Sequence, residues 1–379
     1  MTTSLRRSSP TILAAIAGFS IAAALVRLAQ VQRKVTHRPA AAPLGTVRAA
    51  DEPRTLQLRR AAEPGRGRNA DQPSRIPWRG WKDILWRTYE QISADRLLLI
   101  AGGVVFYGLL ATVPAITALV SMYGIFTSPS AINAQLNFLA DVMPSGAYQL
   151  ISDQIVRIAR NSDGKLTLAF ILGLGVALWS ANAGMKAIFD ALNVVYDEDE
   201  KRGIVKLNAI SLSFTLAGIL VLMIIIGAVV VVPLVLALVG FAAERQAGML
   251  ALLRWPVLFV LVMFGLSVLY RYGPSRRQAK WRWVTVGSAF AALTWIAVSV
   301  AFSWYLSKFA DYNATYGSLG AVIGLMMWMW ISTAVILIGA ELNSEVEHQT
   351  ARDSTTGPPK PIGARGAVMA DTVGAAQSE

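Results

Sequence analysis

The longest apolar stretch of this chain covers residues 207–243, which are 37 residues without Asp, Glu, Lys or Arg. A helix needs about 20 apolar residues to cross the roughly 30 Å hydrocarbon layer of a membrane. Because the stretch is longer than one span requires, it is either one tilted or broken helix or a hairpin of two short spans. The hairpin needs a turn near the midpoint, where only Gly227 offers one. The pattern therefore favours one helix, disturbed at Pro233.

Five further apolar blocks along the chain have the length of a membrane span. They cover residues 97–126, 166–183, 255–270, 284–306 and 319–340. Hydrophobic residues make up 54% of the 379 and charged residues 15%, which places the chain among membrane proteins rather than soluble ones. The predicted fold class is therefore all-α, a polytopic membrane helical bundle with six core transmembrane helices and interfacial amphipathic helices.

The direction of the spans follows from the basic residues in their connections. Fifteen Lys and Arg residues lie in segment 27–96, four in 184–206 and five in 271–283, whereas the intervening connections hold few. The positive-inside rule places these three segments in the cytoplasm. Six spans then put the tail, 347–379, on the same side. The formal net charge of +12 is thus mostly a signal of topology.

The N-terminal part divides into an apolar segment and a polar linker. Residues 11–26 are apolar and follow Arg6 and Arg7, so they resemble a signal peptide or a short anchor. Cleavage would invert every later span, which the charge pattern opposes, and we predict an uncleaved additional segment. The predicted divisions are an N-terminal apolar segment (1–30), a disordered Arg- and Pro-rich linker (31–79), a six-helix membrane domain (80–348) and a disordered cytoplasmic tail (349–379).

Candidate metal and cofactor chemistry is scarce in the sequence. There is no cysteine, and the two histidines, His37 and His348, stand in polar terminal segments. We therefore expect no metal site, no cofactor and no catalytic residue. The arginine cluster of the linker would suit RNA, but no aromatic residue between positions 20 and 77 could stack on a base. A linker that faces anionic lipids explains it better, so membrane lipids rather than nucleic acid are the expected partners.

Two acidic residues close the sixth predicted span. Glu341 and Glu345 are separated by four positions, which places them on one face of a helix. They are candidates for binding a cation or a basic partner at the cytoplasmic side. The alternative is a solvated helix end.

A polar stripe closes the second predicted span. Asn182, Lys186 and Asp190 recur every four residues, and Lys186 and Asp190 can pair. The surrounding pattern also fits an amphipathic helix that lies at the cytoplasmic surface. The acidic cluster beyond it, 197–200, is either a solvated turn or a metal ligand set.

Helix breakers and outer polar residues supply the remaining candidates for transport or gating. Pro114 and Pro233 each remove one helix hydrogen bond, and they either kink or break their spans. Tyr107 lies in the same block as Pro114. Asn313 and Tyr316 belong to a segment rich in hydroxyl and amide groups between the last two spans, which is either a polar vestibule or a tight turn.

Four blocks of the sequence are similar to one known family. They read AGGVVFYGLLATVPAITALVSMYGIF, LWSANAGMKAIFDALNVVYD, LYRYGPSRRQAKWRW and YNATYGSLGAVIGLMMWMWISTAVILIGAELNSE. In this order and spacing they resemble the YihY/BrkB family of bacterial inner-membrane proteins over about residues 80–348. The resemblance implies a multi-pass protein of the bacterial inner membrane with six helices and a cytoplasmic C-terminus.

The resemblance leaves the activity open. Family names invoke virulence and serum resistance, and an older label was ribonuclease BN. Nucleases need clustered Asp, Glu or His, which this pattern lacks, so we expect no enzyme.

Two hypotheses from different classes account for the pattern. The first is transport or export of a lipid, envelope precursor or other amphipathic solute, because the predicted spans hold few charges. The second is a scaffold that organises envelope enzymes through the linker and segment 133–165. Gly320 and Gly324 have a spacing that serves either a homo-oligomer or packing within one chain.

Overall fold

The computed structural model describes residues 52–126, 165–238, 243–309 and 319–377, and the helices below are those of these ranges. A short 3₁₀ turn, Pro73–Arg75, lies between the first two helices. The helices are α1 (Arg54–Ala61), α2 (Trp78–Ala94), α3 (Leu97–Phe126), α4 (Lys165–Val195), α5 (Ile204–Leu238), α6 (Ala243–Tyr272), α7 (Trp281–Phe309), α8 (Leu319–His348) and α9 (Val368–Asp371).

Helices α3 to α8 coincide with the six predicted spans. Each of α4 to α8 contains a stretch long and apolar enough to cross a membrane, whereas α2 and the first half of α3 pass that test only as a pair bent by 58°. The bend falls at Asp95 and Arg96, and Arg96 has a positive φ of 53°. The prediction of an all-α, polytopic helical membrane protein is confirmed.

The two prolines singled out in the sequence do not interrupt their helices. α3 continues through Pro114, and α5 continues through Pro233. The interpretation of these spans as broken helices is therefore wrong. A proline removes only one helix hydrogen bond, and a helix inside a bundle tolerates that loss when neighbouring groups compensate. A single helix, as predicted, accounts for the long apolar stretch as far as Leu238.

Small residues bring the core helices into close contact. α8 is the central helix, since it packs against α2, α3, α4 and α7. At its crossing with α7, a Cβ placed on Gly339 would lie 2.5 Å from the Cβ of Ala291 and 2.8 Å from the carbonyl oxygen of Gly287. A side chain at position 339 would therefore force the two helices apart.

The spans leave most of their apolar surface uncovered. Only 17–28% of the residues in the five spanning stretches are buried within the chain. Exposed side chains in these stretches include Trp179, Val257 and Leu293. Such continuous apolar faces are suited to lipid tails or to another membrane protein, not to water.

A compact polar region lies at the end of the bundle where α4, α6 and α8 finish. We name it the polar cap and define it as residues 52–94, 196–203, 273–280 and 341–377. Its apolar interior includes Ile84, Tyr196, Val346, Met369 and Val373, all at most 2% exposed. A single antiparallel bridge between Ala279 and Thr355 ties the α6–α7 connection to the C-terminal segment.

The polar cap corrects two of the predicted divisions. Residues 52–79 and 349–377 were expected to be disordered, yet Arg68, Thr355, Met369 and Val373 are buried there. Arginine hydrogen bonds to backbone carbonyls hold these segments, as described below, and a composition-based expectation does not capture them. The apolar segment 1–30 lies outside the described residues, and so does segment 133–165 except for Lys165, the first residue of α4.

Candidate functional site: the polar cap and a membrane groove

Within the polar cap, helix α2 packs against the last turns of α8. It buries one face of its helix, formed by Gly80, Asp83, Ile84, Arg87 and Thr88. Arg87 Nε donates to Glu345 Oε2 at 2.5 Å, and Arg87 Nη2 donates to Gln349 Oε1 at 2.8 Å. The side chain of Arg87 is 10% exposed and that of Glu345 is 1% exposed. Glu345 is therefore neither a solvated helix end nor an open cation site, because Arg87 of the same chain neutralises it.

A second buried ion pair joins α8 to the α6–α7 connection. Arg276 donates through both terminal nitrogens to Glu347, at 2.9 Å and 2.7 Å, and both side chains are fully buried. The Arg276 guanidinium lies over the ring of Tyr196, 4.0 Å from its centroid. Burial raises the pKa of Tyr196. The opposite charge and hydrogen bonds of Glu347 outweigh the effect of burial on Arg276 and raise its pKa. This buried pair, with its two parallel hydrogen bonds, acts as a structural lock between α8 and the α6–α7 connection.

Glu341 lies one helical turn before Glu345 in a different environment. It is fully buried, and neither carboxylate oxygen has a hydrogen-bond partner. The charged groups that act on it are also acidic, namely Asp95, Glu345 and Asp197. Because a buried carboxylate without a partner is costly, this is the position in the polar cap that would gain most from a proton or an incoming cation. Glu341 stays a candidate for transport or gating.

The polar stripe of α4 meets α5 rather than solvent. Lys186 Nζ donates to Asn208 Oδ1 at 3.0 Å, and Ser211 Oγ donates to Asn182 Oδ1 at 2.5 Å. These hydrogen bonds form a polar bridge between the two helices close to the polar cap. Asp190 is exposed, and its pairing with Lys186 stays a prediction. The stripe belongs to the continuous helix α4, so the prediction of a separate surface helix there is wrong.

The other predicted candidates fall in several places. Tyr107 is half-buried on α3, where it lies beside Gly184 of α4. Pro114 and Pro233 lie within α3 and α5, in stretches described by their backbone alone. Asn313 and Tyr316 are outside the described residues. Among the described candidates, the structure brings together Glu341 and Glu345 on α8, and Asn182 with Lys186 on α4.

The turn that follows α4 is held by its own acidic residues. Glu198 is buried and accepts from Lys201 Nζ at 2.6 Å and from the backbone N–H of Val368 at 2.7 Å. Glu200 accepts from both the backbone and the side chain of Arg202. Arg202 in turn donates to the carbonyl of Gly273 at 2.8 Å. These pairings replace the expected solvated turn, and within the described ranges no group of three or more His, Cys, Asp or Glu side chains could hold a metal ion.

The stability of the polar cap should fall in acid because of Glu200. Burial by itself would raise the pKa of Glu200, but hydrogen bonds from Arg202 and Asn193 outweigh it and lower the pKa from 4.5 to about 2. A lowered folded-state pKa gives a contribution that is complete above the unfolded value and is lost as the pH falls toward the folded one. Between pH 4.5 and 2 we expect thermal unfolding of the detergent-solubilised protein to move to lower temperature more steeply than in Glu200→Gln.

The matched control for this acid effect is Glu90→Gln, because Glu90 is exposed on α2. We expect its unfolding temperature to follow the unmodified protein at every pH. Identical acid sensitivity of Glu200→Gln and the unmodified protein would contradict the assignment to Glu200.

A groove of about 570 Å³ lies between the middle of α6 and the second half of α7, away from the polar cap. It is lined by Trp255, Leu258, Trp295, Ile296, Ser299, Val300, Ser303 and Trp304. α8 backs the groove, since Trp295 Nε1 donates to Ser332 Oγ at 3.0 Å and Trp328 Nε1 lies 3.4 Å from Ser299 Oγ. The site is mostly apolar, with two hydroxyl groups one helical turn apart. It therefore suits a long apolar ligand with occasional polar atoms better than it suits an ion.

Sequence reasoning missed the basic partners and the groove. Arg87 and Arg276 entered only through the counts of basic residues in segments 27–96 and 271–283, and Gln349 belonged to the tail expected to be disordered. One local signal for Arg87 exists, because Asp83 and Arg87 share the α2 face of Gly80 and Ile84 at helical spacing. The partner Glu345 lies 258 residues away, and nothing in a single sequence reports that contact.

Together, the bundle of apolar helices and the polar cap define a polytopic α-helical membrane protein. A family model described as virulence factor BrkB matches residues 88–362, and the chain belongs to this family. The match includes the buried Arg276–Glu347 pair and begins one residue after Arg87. The resemblance read from the sequence is thereby confirmed.

Several curated relatives support the assignment. The chain is 32% identical over 223 residues to the ribonuclease-like protein YfkH of Bacillus subtilis, covering 57% of this chain and 78% of the relative. It is 28% identical to a UPF0761 membrane protein of Nitrosospira multiformis, covering 67% of this chain and 58% of the relative. It is 23% identical to a UPF0761 membrane protein of Haemophilus influenzae, covering 70% of this chain and 94% of the relative. No solved structure matches.

Proposed function

We propose that this protein moves a lipid or another amphipathic solute within or across the bacterial plasma membrane, without enzymatic chemistry. The observation that carries the proposal is the groove between α6 and α7. Both helices are long and apolar enough to cross a membrane, so a groove between them would face lipid rather than water. Its volume of about 570 Å³ is in the range of sites for small ligands, roughly 300–1,000 Å³.

The lining of the groove favours an acyl chain as the occupant. Leu258, Ile296 and Val300 offer methyl groups, and the indoles of Trp255 and Trp304 offer flat apolar surfaces. No described residue of this lining carries a charge, whereas ion-coupled paths usually present carboxylates. Ser299 and Ser303 provide the few polar contacts that would orient an ester or hydroxyl group.

The charge distribution supports an orientation for this activity. The polar cap contains the basic connections, so the positive-inside rule puts the cap and the C-terminus in the cytoplasm. The groove then lies toward the outer half of the membrane. Glu341 and its acidic neighbours stand at the opposite, cytoplasmic end, where a proton or cation would be taken up if transport is coupled to one.

Filling the groove tests the proposal. Val300→Trp adds a large side chain to the lining, and it should reduce the crosslinking of a photoactivatable phospholipid to α6 and α7 about tenfold. The measurement is mass spectrometry of peptides from purified protein crosslinked in nanodiscs.

Leu293→Trp is the matched control. Leu293 is exposed on α7 outside the groove lining, so the same aromatic side chain should leave crosslinking unchanged. Equal crosslinking of Val300→Trp and the unmodified protein, or an equal loss in Leu293→Trp, would contradict a lipid site in the groove.

The alternative proposal is a scaffold role. Because part of the linker is folded into the polar cap, a deletion of the linker is not a clean test of this role. Residues 52–76 belong to the folded cap, so their deletion would damage the fold as well as any docking surface. The exposed arginines of α1, such as Arg54, are a cleaner target. Loss of a co-purifying partner on charge reversal there, with unchanged lipid crosslinking, would favour scaffolding.

A nuclease role, which the name of the Bacillus relative suggests for that protein, can be tested directly. We propose that purified protein leaves RNA intact. Cleavage abolished by Glu341→Gln would overturn this.

A further inference from the structure

One arginine at the membrane boundary lacks the partners that its neighbours have. Arg271 lies in the last turn of α6 and is only 8% exposed. Its Nε and Nη1 atoms are buried without a hydrogen-bond partner. In the described part of the chain no carboxylate pairs with it, whereas Arg276 pairs with Glu347 and Arg202 pairs with Glu200.

Aromatic rings hold the Arg271 guanidinium in place. Its Cζ lies 4.4 Å from the ring centroid of Trp281 and 5.4 Å from that of Tyr272. Stacking on aromatic faces fixes the plane of a guanidinium and leaves its N–H donors free in that plane. A buried guanidinium with unused donors is costly unless an acceptor reaches it. The guanidinium therefore keeps a fork of unused donors that an entering anion would satisfy.

The surroundings identify where that anion comes from. Trp281 also stacks on Phe264, with ring centroids 6.4 Å apart and planes 10° apart. Phe264 is 60% exposed and Trp281 is 43% exposed, so an apolar strip leads along the surface of α6 to the guanidinium. Phosphate is the group that a guanidinium binds best through two parallel hydrogen bonds. An apolar strip that ends at a phosphate-binding fork matches a phospholipid, whose acyl chains and headgroup have this order.

We propose that Arg271, whose guanidinium lies over the rings of Tyr272 and Trp281, binds the phosphate of an anionic phospholipid in the leaflet next to the polar cap. The connection 271–283 adds four further basic residues and no acidic one, which favours an anionic over a zwitterionic lipid. The groove lining begins 13 residues earlier on α6, at Leu258, about 20 Å along the helix. The headgroup site is therefore separate from the groove, and it does not depend on the proposed transport activity.

Native mass spectrometry of the delipidated full chain in detergent, titrated with phosphatidylglycerol, tests the site. Arg271→Gln removes the donor fork, and we expect its affinity to fall roughly tenfold or more. Arg271→Lys keeps the charge but loses the planar fork and should be intermediate. Arg282→Gln removes an equal charge at an exposed position of the same segment and should stay within about twofold of the unmodified protein.

Two further measurements use the unmodified protein, so they do not depend on whether a variant folds. It should bind phosphatidylglycerol more tightly than diacylglycerol with the same acyl chains, and inorganic phosphate should not displace the lipid. Equal binding of diacylglycerol, or equal affinities of Arg271→Gln and the unmodified protein, would overturn the site. Displacement by inorganic phosphate would overturn the lipid as its source. If Arg282→Gln lost as much affinity for phosphatidylglycerol as Arg271→Gln, general charge attraction would explain the binding. That result would also overturn the proposal.

Discussion

Arg87→Met is expected to lower the stability of the protein by roughly 3–5 kcal/mol. The substitution leaves the carboxylate of Glu345 buried without its partner, and it removes the hydrogen bonds to Gln349 and to the carbonyl of Ala375. Breaking one side of a buried ion pair is costly because the remaining charge cannot return to water. The measurement is thermal unfolding of purified protein in detergent, followed by tryptophan fluorescence.

Two controls separate the lost pairing from a general loss of packing. The double variant Arg87→Met with Glu345→Leu removes both charges and should recover much of the stability. Arg75→Ala removes an exposed arginine paired with Asp71 and should cost less than about 1 kcal/mol. If Arg87→Met and Arg75→Ala have the same effect, the Arg87–Glu345 pair does not fasten α2 to α8.

Removal of residues 351–377 is expected to lower the stability of the protein at least as much as Arg87→Met does. The segment buries Met369 and Val373 in the polar cap, and each fully buried side chain of this kind contributes roughly 1.5–3 kcal/mol. Its backbone also accepts hydrogen bonds from Arg68 and Arg87, whose donors would be left without acceptors. We expect a lower unfolding temperature and rapid proteolysis of segment 52–77.

The control for the truncation keeps the segment but changes its interior slightly. Met369→Leu conserves volume and should cost less than about 1.5 kcal/mol. Val373→Asp places an unpaired carboxylate at a fully buried position and should resemble the truncation. A truncated chain as stable as the full chain would mean that the C-terminal segment adds nothing to the cap, as its composition suggested.

The contrast between spans and cap shows which physical signals a single sequence carries. Hydropathy predicts α3 to α8 because the membrane requires about 20 apolar residues in every span, whatever their partners. The bend between α2 and α3 was missed because Asp95 and Arg96 include neither proline nor glycine. At Pro114 and Pro233 the sequence allowed either a kink or a break, and both residues lie inside continuous helices.

The polar cap could not be predicted because arginine hydrogen bonds to the backbone hold it together. The C-terminal segment is rich in Gly, Ala and Pro and poor in large apolar residues, a composition that indicates disorder. Arg68 donates to the carbonyls of Gln349 and Gly374, and Arg365 donates to those of Ala351 and Ala370. Backbone carbonyls are present at every residue, so a sequence cannot show which of them a guanidinium will reach.

The two glutamates of α8 make the same point within the candidate site. Helical spacing predicted correctly that Glu341 and Glu345 share one face. Their environments differ because Arg87 of α2 reaches Glu345, whereas no described hydrogen-bond partner reaches Glu341. Residue type and spacing therefore identified the pair. The packing of a distant helix pairs Glu345 with Arg87, whereas Glu341 stays a candidate.

Transbilayer movement of lipid tests most directly whether the groove between α6 and α7 moves lipid, as proposed. In proteoliposomes containing fluorescent phosphatidylglycerol, we expect the unmodified protein to speed exchange between leaflets, as measured by dithionite quenching. Val300→Trp should return the rate to that of protein-free vesicles, and Leu293→Trp should leave it raised. A rate for the unmodified protein equal to that of protein-free vesicles, or a Val300→Trp rate equal to that of the unmodified protein, would contradict the account.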